Sequence, residues 1–253
     1  NQHYCGGNEG GTLTPSTWSN VLFDGDGYVD PNNAGDCIMA KEPVTFTNVI
    51  NINKAGTLFS GLASTASVTI KNATCHKSFG LALGETVGSP TQLADLKNVI
   101  FSEMERGVYQ NMEFVSMTNN PIDYVGFWNM TTDTNLDHPL LGVNSYMGLE
   151  RYAPWFSTGT FDGTDGRGLH DINADPMFKD SSRTIRKWFG SVLGVDTSSN
   201  TEWSVTKLGG RLCEVGGVDV DGNIVTPFAG LTPAACRAWI REGFTPQNAV
   251  YKG

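Results

Sequence analysis

No stretch of this chain approaches the ~18 consecutive apolar residues that a membrane-spanning helix needs, so membrane insertion is not expected. Nor does any of the five cysteines (Cys5, Cys37, Cys75, Cys213, Cys236) stand in a CxxC pair, which argues against zinc or dithiol redox chemistry. Two disulfides could form outside a cell, but a chain of 253 residues can build a core without them, and free buried thiols are the expected reading. Positive charge is short as well: 17 basic against 26 acidic residues give a net charge of −9, which opposes binding to nucleic acid or anionic lipid. The densest basic run, Arg183 to Lys187 (RTIRK), holds three basic residues in five and reads as a solvated segment. The four histidines (His3, His76, His138, His170) have no metal-ligand spacing and read as structural; Cys75 and His76 are neighbours whose side chains would diverge on a strand. Helical periodicity is scarce too, which leaves a soluble chain to be built from strands. The opening NQHYCGGNEGG lacks a signal-peptide pattern and reads as a mature form or a piece of a longer polypeptide.

What the chain does have is 30 glycines and short alternating apolar runs, among them Val44 to Thr47, Val68 to Lys71 and Leu96 to Phe101. These runs recur. NVININKAG starts at Asn48, NATCHKSFG at Asn72 and NVIFSEMERG at Asn98, intervals of 24 and 26 residues. Aligned on the Asn, the rows put Phe46, Ile70 and Leu96 in one column and Val49, Ala73 and Val99 in another, with Gly56, Gly80 and Gly107 further along. A unit of that length cannot bury its apolar face alone, so the repeat predicts stacking of neighbours, as in a β-solenoid. The apolar columns would fill the core. Asn48, Asn72 and Asn98 would take the left-handed region at a bend and bond from row to row, and the glycines would serve a second corner. Two N-glycan triplets, at Asn72 and Asn129, carry little weight without a secretory setting.

The rows loosen after Met112, although Ile122 to Trp128 could supply another strand. Residues 131–170 are rich in turn formers and aromatics and are expected to form long loops. Exposed rings there (Trp128, Tyr146, Tyr152, Trp155) would stack on sugar faces, or else they cap the solenoid's apolar end. Asp221-Gly222 between apolar residues predicts a hairpin, and LTPAACRAWIREGF predicts one helix, with Thr232 as N-cap, Pro233 first and Gly243 ending it. The expected organisation is a cap over 1–43, coils over 44–190 with the loop-rich insertion 131–170, and a C-terminal hairpin and helix over 191–253.

Two further stretches, DINADPMFKDSSRTIRKWF (171–189) and CRAWIREGFTPQNAVYKG (236–253), resemble segments that close right-handed parallel β-helix proteins of the pectate-lyase-like superfamily, in a subgroup of phage and bacterial surface proteins. The resemblance implies an all-β fold, a right-handed parallel β-helix with long loops and a short C-terminal helix. It implies no catalytic residue, because the paired aspartates and the Gly-His-Gly of the family's pectinolytic enzymes have no counterpart here.

Among polar clusters, Glu103 and Glu105 would share a face if Ser102 to Arg106 were extended, and with Asp123 or Glu113 they could form an acid/base pair on a sugar polymer. A solvated wall is the plainer reading. Asp24, Asp26 and Asp30 sit at positions like 3, 5 and 9 of a calcium loop, but Leu22 and Asn33 stand where the first and last ligands belong. A turn is expected there, with a weak structural calcium as the alternative; Asp162 and Asp165 read the same way. No other cofactor is expected. The expected function is a non-enzymatic extracellular or virion surface component (spike, fibre or appendage) that presents loops to a surface polysaccharide or to other copies, with a homo-trimer as the assembly to consider. A polysaccharide lyase or glycoside hydrolase is the alternative, and a bacterial adhesin or surface-layer module the second.

Overall fold

The computed structural model describes residues 6–7, 15–25, 38–53, 57–61, 66–78, 80–84, 91–104, 108–109, 112–114, 122–129, 170, 172–193, 217–218, 224–225 and 233–252. Contacts divide the chain into two compact units, one of Asn1–Pro176 with Asn248–Gly253 and the other of Met177–Gln247.

In the first unit the chain passes alternately between two sheets. Strands β1 (Gly6–Gly7), β3 (Ile38–Ala40), β5 (Thr57–Gly61), β7 (Gly80–Gly84) and β9 (Val108–Tyr109) make one, in that order and parallel throughout. The other sheet runs β2 (Ser16–Asp24), β4 (Val44–Ile52), β6 (Ser67–His76), β8 (Thr91–Ser102), β11 (Ile122–Trp128), β12 (Ile172–Asn173), again parallel. Strand β10 (Met112–Phe114) pairs with the start of β8. The body of the described chain is therefore β with parallel pairing, as the alternating runs predict.

Registry explains the spacing of the sequence rows. Phe46 pairs with Ile70 and Ile70 with Leu96; Val49, Ala73, Val99 and Val125 form the neighbouring column. A third column passes from Asn51 through Cys75 and Phe101 to Phe127, whose rings stack at 5.7 Å. These columns are buried and, with Val44, Phe59, Val68 and others, make one hydrophobic cluster. Each fully buried aliphatic or aromatic side chain there contributes roughly 1.5–3 kcal/mol relative to exposure. Between β6 and β8 the register shifts: Ser67 faces Gln92 but Thr69 faces Asp95, so a bulge adds a residue. The bulge supplies one of the two residues by which the interval between bonded asparagines grows, from 24 to 26.

Two columns of left-handed residues bend the strands of the second sheet. Asn20, Asn48, Asn72, Asn98 and Tyr124 lie at φ 55–56. Their amides join in a chain: Asn48 Nδ2 donates to Asn20 Oδ1 at 3.2 Å, Asn72 to Asn48 at 3.2 Å and Asn98 to Asn72 at 3.0 Å. Since Asn72 Nδ2 is a donor in this chain, a glycan on its triplet would displace the bond. Five positions later a second column follows, Asn53 (φ 53), Lys77 (φ 51), Glu103 (φ 52) and Asn129 (φ 47). One backbone bond repeats at this corner, from Gly25 N to Ile52 O, Asn53 N to His76 O, Lys77 N to Ser102 O and Glu103 N to Trp128 O, at 2.9–3.1 Å. Of the glycines expected at a second corner, Gly80 instead opens β7 opposite Thr57, and Gly56 and Gly107 lie outside the described residues.

Asn72→Ala removes two side-chain hydrogen bonds and leaves in the left-handed region a residue that tolerates it less well than Asn. A loss of about 2 kcal/mol is expected from these two terms, with Asn72→Gly recovering the backbone part. Urea midpoints of the two variants measure both; equal losses would contradict the conformational role.

In the second unit, helix α1 (Ile185–Leu193) corrects the reading of RTIRK as a merely solvated segment. Thr184 Oγ1 accepts from Lys187 N at 3.1 Å, an N-cap, and Trp188 one residue further is buried. Helix α2 (Pro233–Gly243) falls where LTPAACRAWIREGF predicts it, packs against α1, and buries Cys236 and Ile240, with Phe244 following. Gly243 is needed for a close approach: a β-carbon there would lie 2.6 Å from Asp180 O. Strands β13 (Gly217–Val218) and β14 (Ile224–Val225) pair antiparallel, as a hairpin requires; Asp221 and Gly222, where the turn is expected, lie outside the described residues. The two stretches that carry the family resemblance meet here. Phe178 bridges Pro246, Lys179 N donates to Thr245 O at 3.1 Å, and Asp180 N donates to Gly243 O at 2.8 Å. Arg183 lies over the Trp239 ring at 4.7 Å and donates to Trp239 O at 2.7 Å and to Glu242 at 3.0 Å, while Lys179 also pairs with Glu242.

Candidate functional site

An exposed polar cluster forms where the asparagine chain ends. Tyr124 occupies in β11 the position that Asn98 holds in β8, since Asp123 pairs with Lys97 and Val125 with Val99. Asp123 Oδ1 accepts from Tyr124 N at 2.9 Å and from His170 N at 3.1 Å, and His170 Nδ1 lies 3.1 Å from both carboxylate oxygens. A carboxylate only accepts, so Nδ1 is the donor of the His170 ring in this pair. The His170 and Tyr124 rings stack at 4.3 Å and 3°, and both remain about half exposed. Beside them runs a balanced stripe: Lys71 Nζ is 2.8 Å from Asp95, and Lys97 Nζ is 3.5 Å from the same carboxylate. Exposed pairs of this kind contribute little to stability.

Of the carboxylates expected from sequence, only Asp123 belongs to this cluster. Strand β8 ends at Ser102, so Glu103 is not extended; it takes a corner, 3.5 Å from Lys77. Glu103 lies six residues beyond Lys97, the residue paired with Asp123, so the two carboxylates do not share a level position on neighbouring strands. Glu105 lies outside the described residues, as do Tyr146, Tyr152, Trp155, Asp26 and Asp30. Trp128 ends β11, opposite Ser102, and is 37 % exposed. Asp24 ends β2 and accepts from Asn53 Nδ2 at 3.3 Å. Among the described residues no three His, Cys, Asp or Glu side chains gather as a metal site, and no helix is long and apolar enough to cross a membrane.

Sequence reasoning missed Tyr124 and His170. Tyr124 follows Asn98 by 26 residues, the same interval that separates Asn72 from Asn98, so a column search indifferent to residue type would have found it. His170 lies 47 residues from Asp123, and no local pattern links them.

A second polar group is buried. His76 stands on β6, 3.3 Å from Ser102 Oγ, and Ser78 Oγ donates to Asn51 O at 3.1 Å. Burial pushes the His76 imidazole down to about 4, against the opposing pull of Glu103. Cys75, in the core column, is a free thiol whose pKa burial pushes far up; the facing Asn51 amide, which has no nitrogen or oxygen partner among the described residues, moderates this. An unfolded His76 takes up a proton near pH 6.5 and the folded one does not until about pH 4. Its neutral burial therefore stabilises fully above the unfolded value, and that contribution is lost as pH falls through this window, by on the order of 2 kcal/mol. Urea midpoints between these two pH values should fall less steeply for His76→Gln than for the parent; identical slopes would contradict neutral burial.

Comparison with known proteins adds no assignment: no protein-family model, no curated protein and no solved structure matches the chain.

Proposed function

We propose that the two parallel sheets are walls of a right-handed parallel β-helix, and that the chain is a non-enzymatic surface component of a virion or cell, a spike, fibre or appendage part. On this reading it presents its loops to surface glycans or to neighbouring copies, with a homo-trimer as the assembly to test. The observation that carries the reading is the asparagine chain through Asn20, Asn48, Asn72 and Asn98, bonded from strand to strand at one left-handed position. Such a chain ties each level to the next at the surface, while the apolar columns tie them inside. A body so built is stiff along the stacking direction, which suits a shaft. The resemblance of the segments 171–189 and 236–253 to surface proteins with this architecture supports the same reading.

The Asp123 and His170 pair favours a second reading, a lyase or hydrolase with these groups as acid and base. Incubation with acidic and neutral polysaccharides separates the two. The surface-component reading expects retention without cleavage; new reducing ends or unsaturated products that vanish in Asp123→Asn would overturn it.

A further inference from the structure

We infer that Tyr124, His170 and the outer end of the asparagine chain form a binding site for a neutral pyranose. Two observations independent of any assigned activity meet at this point. The first is conformational. Tyr124 sits at φ 56, a region costing about 1–2 kcal/mol for a residue with a β-carbon, whereas four asparagines fill the preceding positions of its column. A bulky ring there breaks the amide chain and carries a strain that Asn would relieve, and strain kept against an available remedy is characteristic of functional positions. The second observation is the surface the substitution creates.

Tyr124 is 51 % exposed, and its ring lies parallel to that of His170 with centroids 4.3 Å apart, so each ring covers one face of the other and the stacked pair has only its outward faces to offer a ligand. Asp123 holds that pair in place through three hydrogen bonds, from Tyr124 N, His170 N and His170 Nδ1. Next to it, Asn98 gives its Nδ2 to Asn72, and its Oδ1 has no partner among the described residues, because Tyr124 offers no amide to continue the chain. A pyranose presents apolar C–H bonds on one face and hydroxyls around its rim. The C–H face matches the electron-rich face of an aromatic ring, and the hydroxyls match an outlying acceptor such as the Asn98 side-chain carbonyl. Lys71, Lys97, Asp95 and Asp123 cancel in charge along this stripe, so neither an acidic nor a cationic sugar gains a net attraction.

This inference rests on the glycan-presenting reading above and locates its contact. The test uses the full chain and four neutral trisaccharides, of glucose, mannose, galactose and N-acetylglucosamine, titrated to about 10 mM, where a weak carbohydrate contact saturates. NMR should report, for at least one, upfield shifts of sugar C–H protons and perturbation of the Tyr124 and His170 ring signals. The decisive variant is Tyr124→Asn, which keeps the left-handed position and extends the amide chain. It should fold with stability equal to or above the parent, yet weaken the contact by roughly tenfold or more. His170→Ala should weaken it by a similar factor. If no trisaccharide binds, or if binding survives Tyr124→Asn, the site is overturned; binding that survives leaves the surface-component reading standing. Cleavage of a trisaccharide that still requires Tyr124 would support the site and overturn the non-enzymatic reading.

Discussion

Phe101→Ala is expected to lower the unfolding free energy of the first unit by about 3–5 kcal/mol, the range for truncating a fully buried aromatic side chain. Phe101 is fully buried and belongs to three relationships at once. It faces Cys75 on β6, stacks on Phe127 of β11 at 5.7 Å, and sits on the same strand as Leu96 and Val99, which fill the adjoining columns. The void left by its ring therefore opens between levels and cannot be closed by one neighbour. Denaturant titration measures the loss. A double-mutant cycle with Phe127→Ala should return a coupling of about 0.5–1.5 kcal/mol for the stacked pair. A coupling near zero would place the two rings in unrelated parts of the core.

The second large effect is expected at Gly126. A β-carbon there would overlap the Tyr251 ring, falling 2.7 Å from its Oη and 2.9 Å from its Cζ. Tyr251 anchors the 3-10 turn Ala249–Tyr251: its hydroxyl donates to Ala174 O at 2.7 Å, and at the turn's N-cap Asn248 Nδ2 donates to Asp175 O at 2.8 Å. Burial pushes the Tyr251 hydroxyl up to about 12, as expected for a phenol held neutral in a tight seat. Gly126→Leu should expel the ring and cost about 2–4 kcal/mol, comparable to Tyr251→Ala. The double variant should cost little more than either alone, because both changes remove one contact. Additive losses would show that Gly126 and Tyr251 act separately. Limited proteolysis near residue 248 offers an orthogonal readout of the released end.

Much of this architecture is legible in the sequence, for a physical reason. Parallel strands in registry place equivalent residues side by side, so any demand peculiar to one position recurs at the period of the fold. A left-handed bend whose side chains bond to each other admits few residues besides Asn, and Asn48, Asn72 and Asn98 therefore stand out. Asn20 obeys the same demand, but 28 residues before Asn48, and the longer interval hides it. The second corner was illegible because its backbone demand is met by Asn53, Lys77, Glu103 and Asn129 alike. The side-chain contacts there differ from level to level, Asn53 to Asp24 and Lys77 to Glu103, so residue identity drifts and no column forms in the text. The reading of Glu103 as part of an extended acidic wall failed to anticipate this corner.

The helices divide in the same way. LTPAACRAWIREGF announces itself through a Pro at its start and a Gly at its end. IRKWFGSVL lacks a Pro at its start, although Gly194 follows its end, and Trp188, buried, sits beside Arg186 and Lys187 in a run that reads as polar. The exposed site was only half visible. Asp123 was picked out as a carboxylate, but its partner His170 lies across a long stretch of chain, and the strained Tyr124 looks like any aromatic on a strand until its φ is known.

Registry between strands that are 24 to 26 residues apart in sequence underlies both the proposed β-helix and the site at its side. Methyl NOESY spectra on a sample labelled at Ile, Leu and Val test it directly. Parallel strands lie about 4.8 Å apart, so cross-peaks are predicted between Val44 and Val68, between Ile70 and Leu96, and between Val99 and Val125. Spectra in which these pairs are silent while each residue contacts other partners would contradict the account.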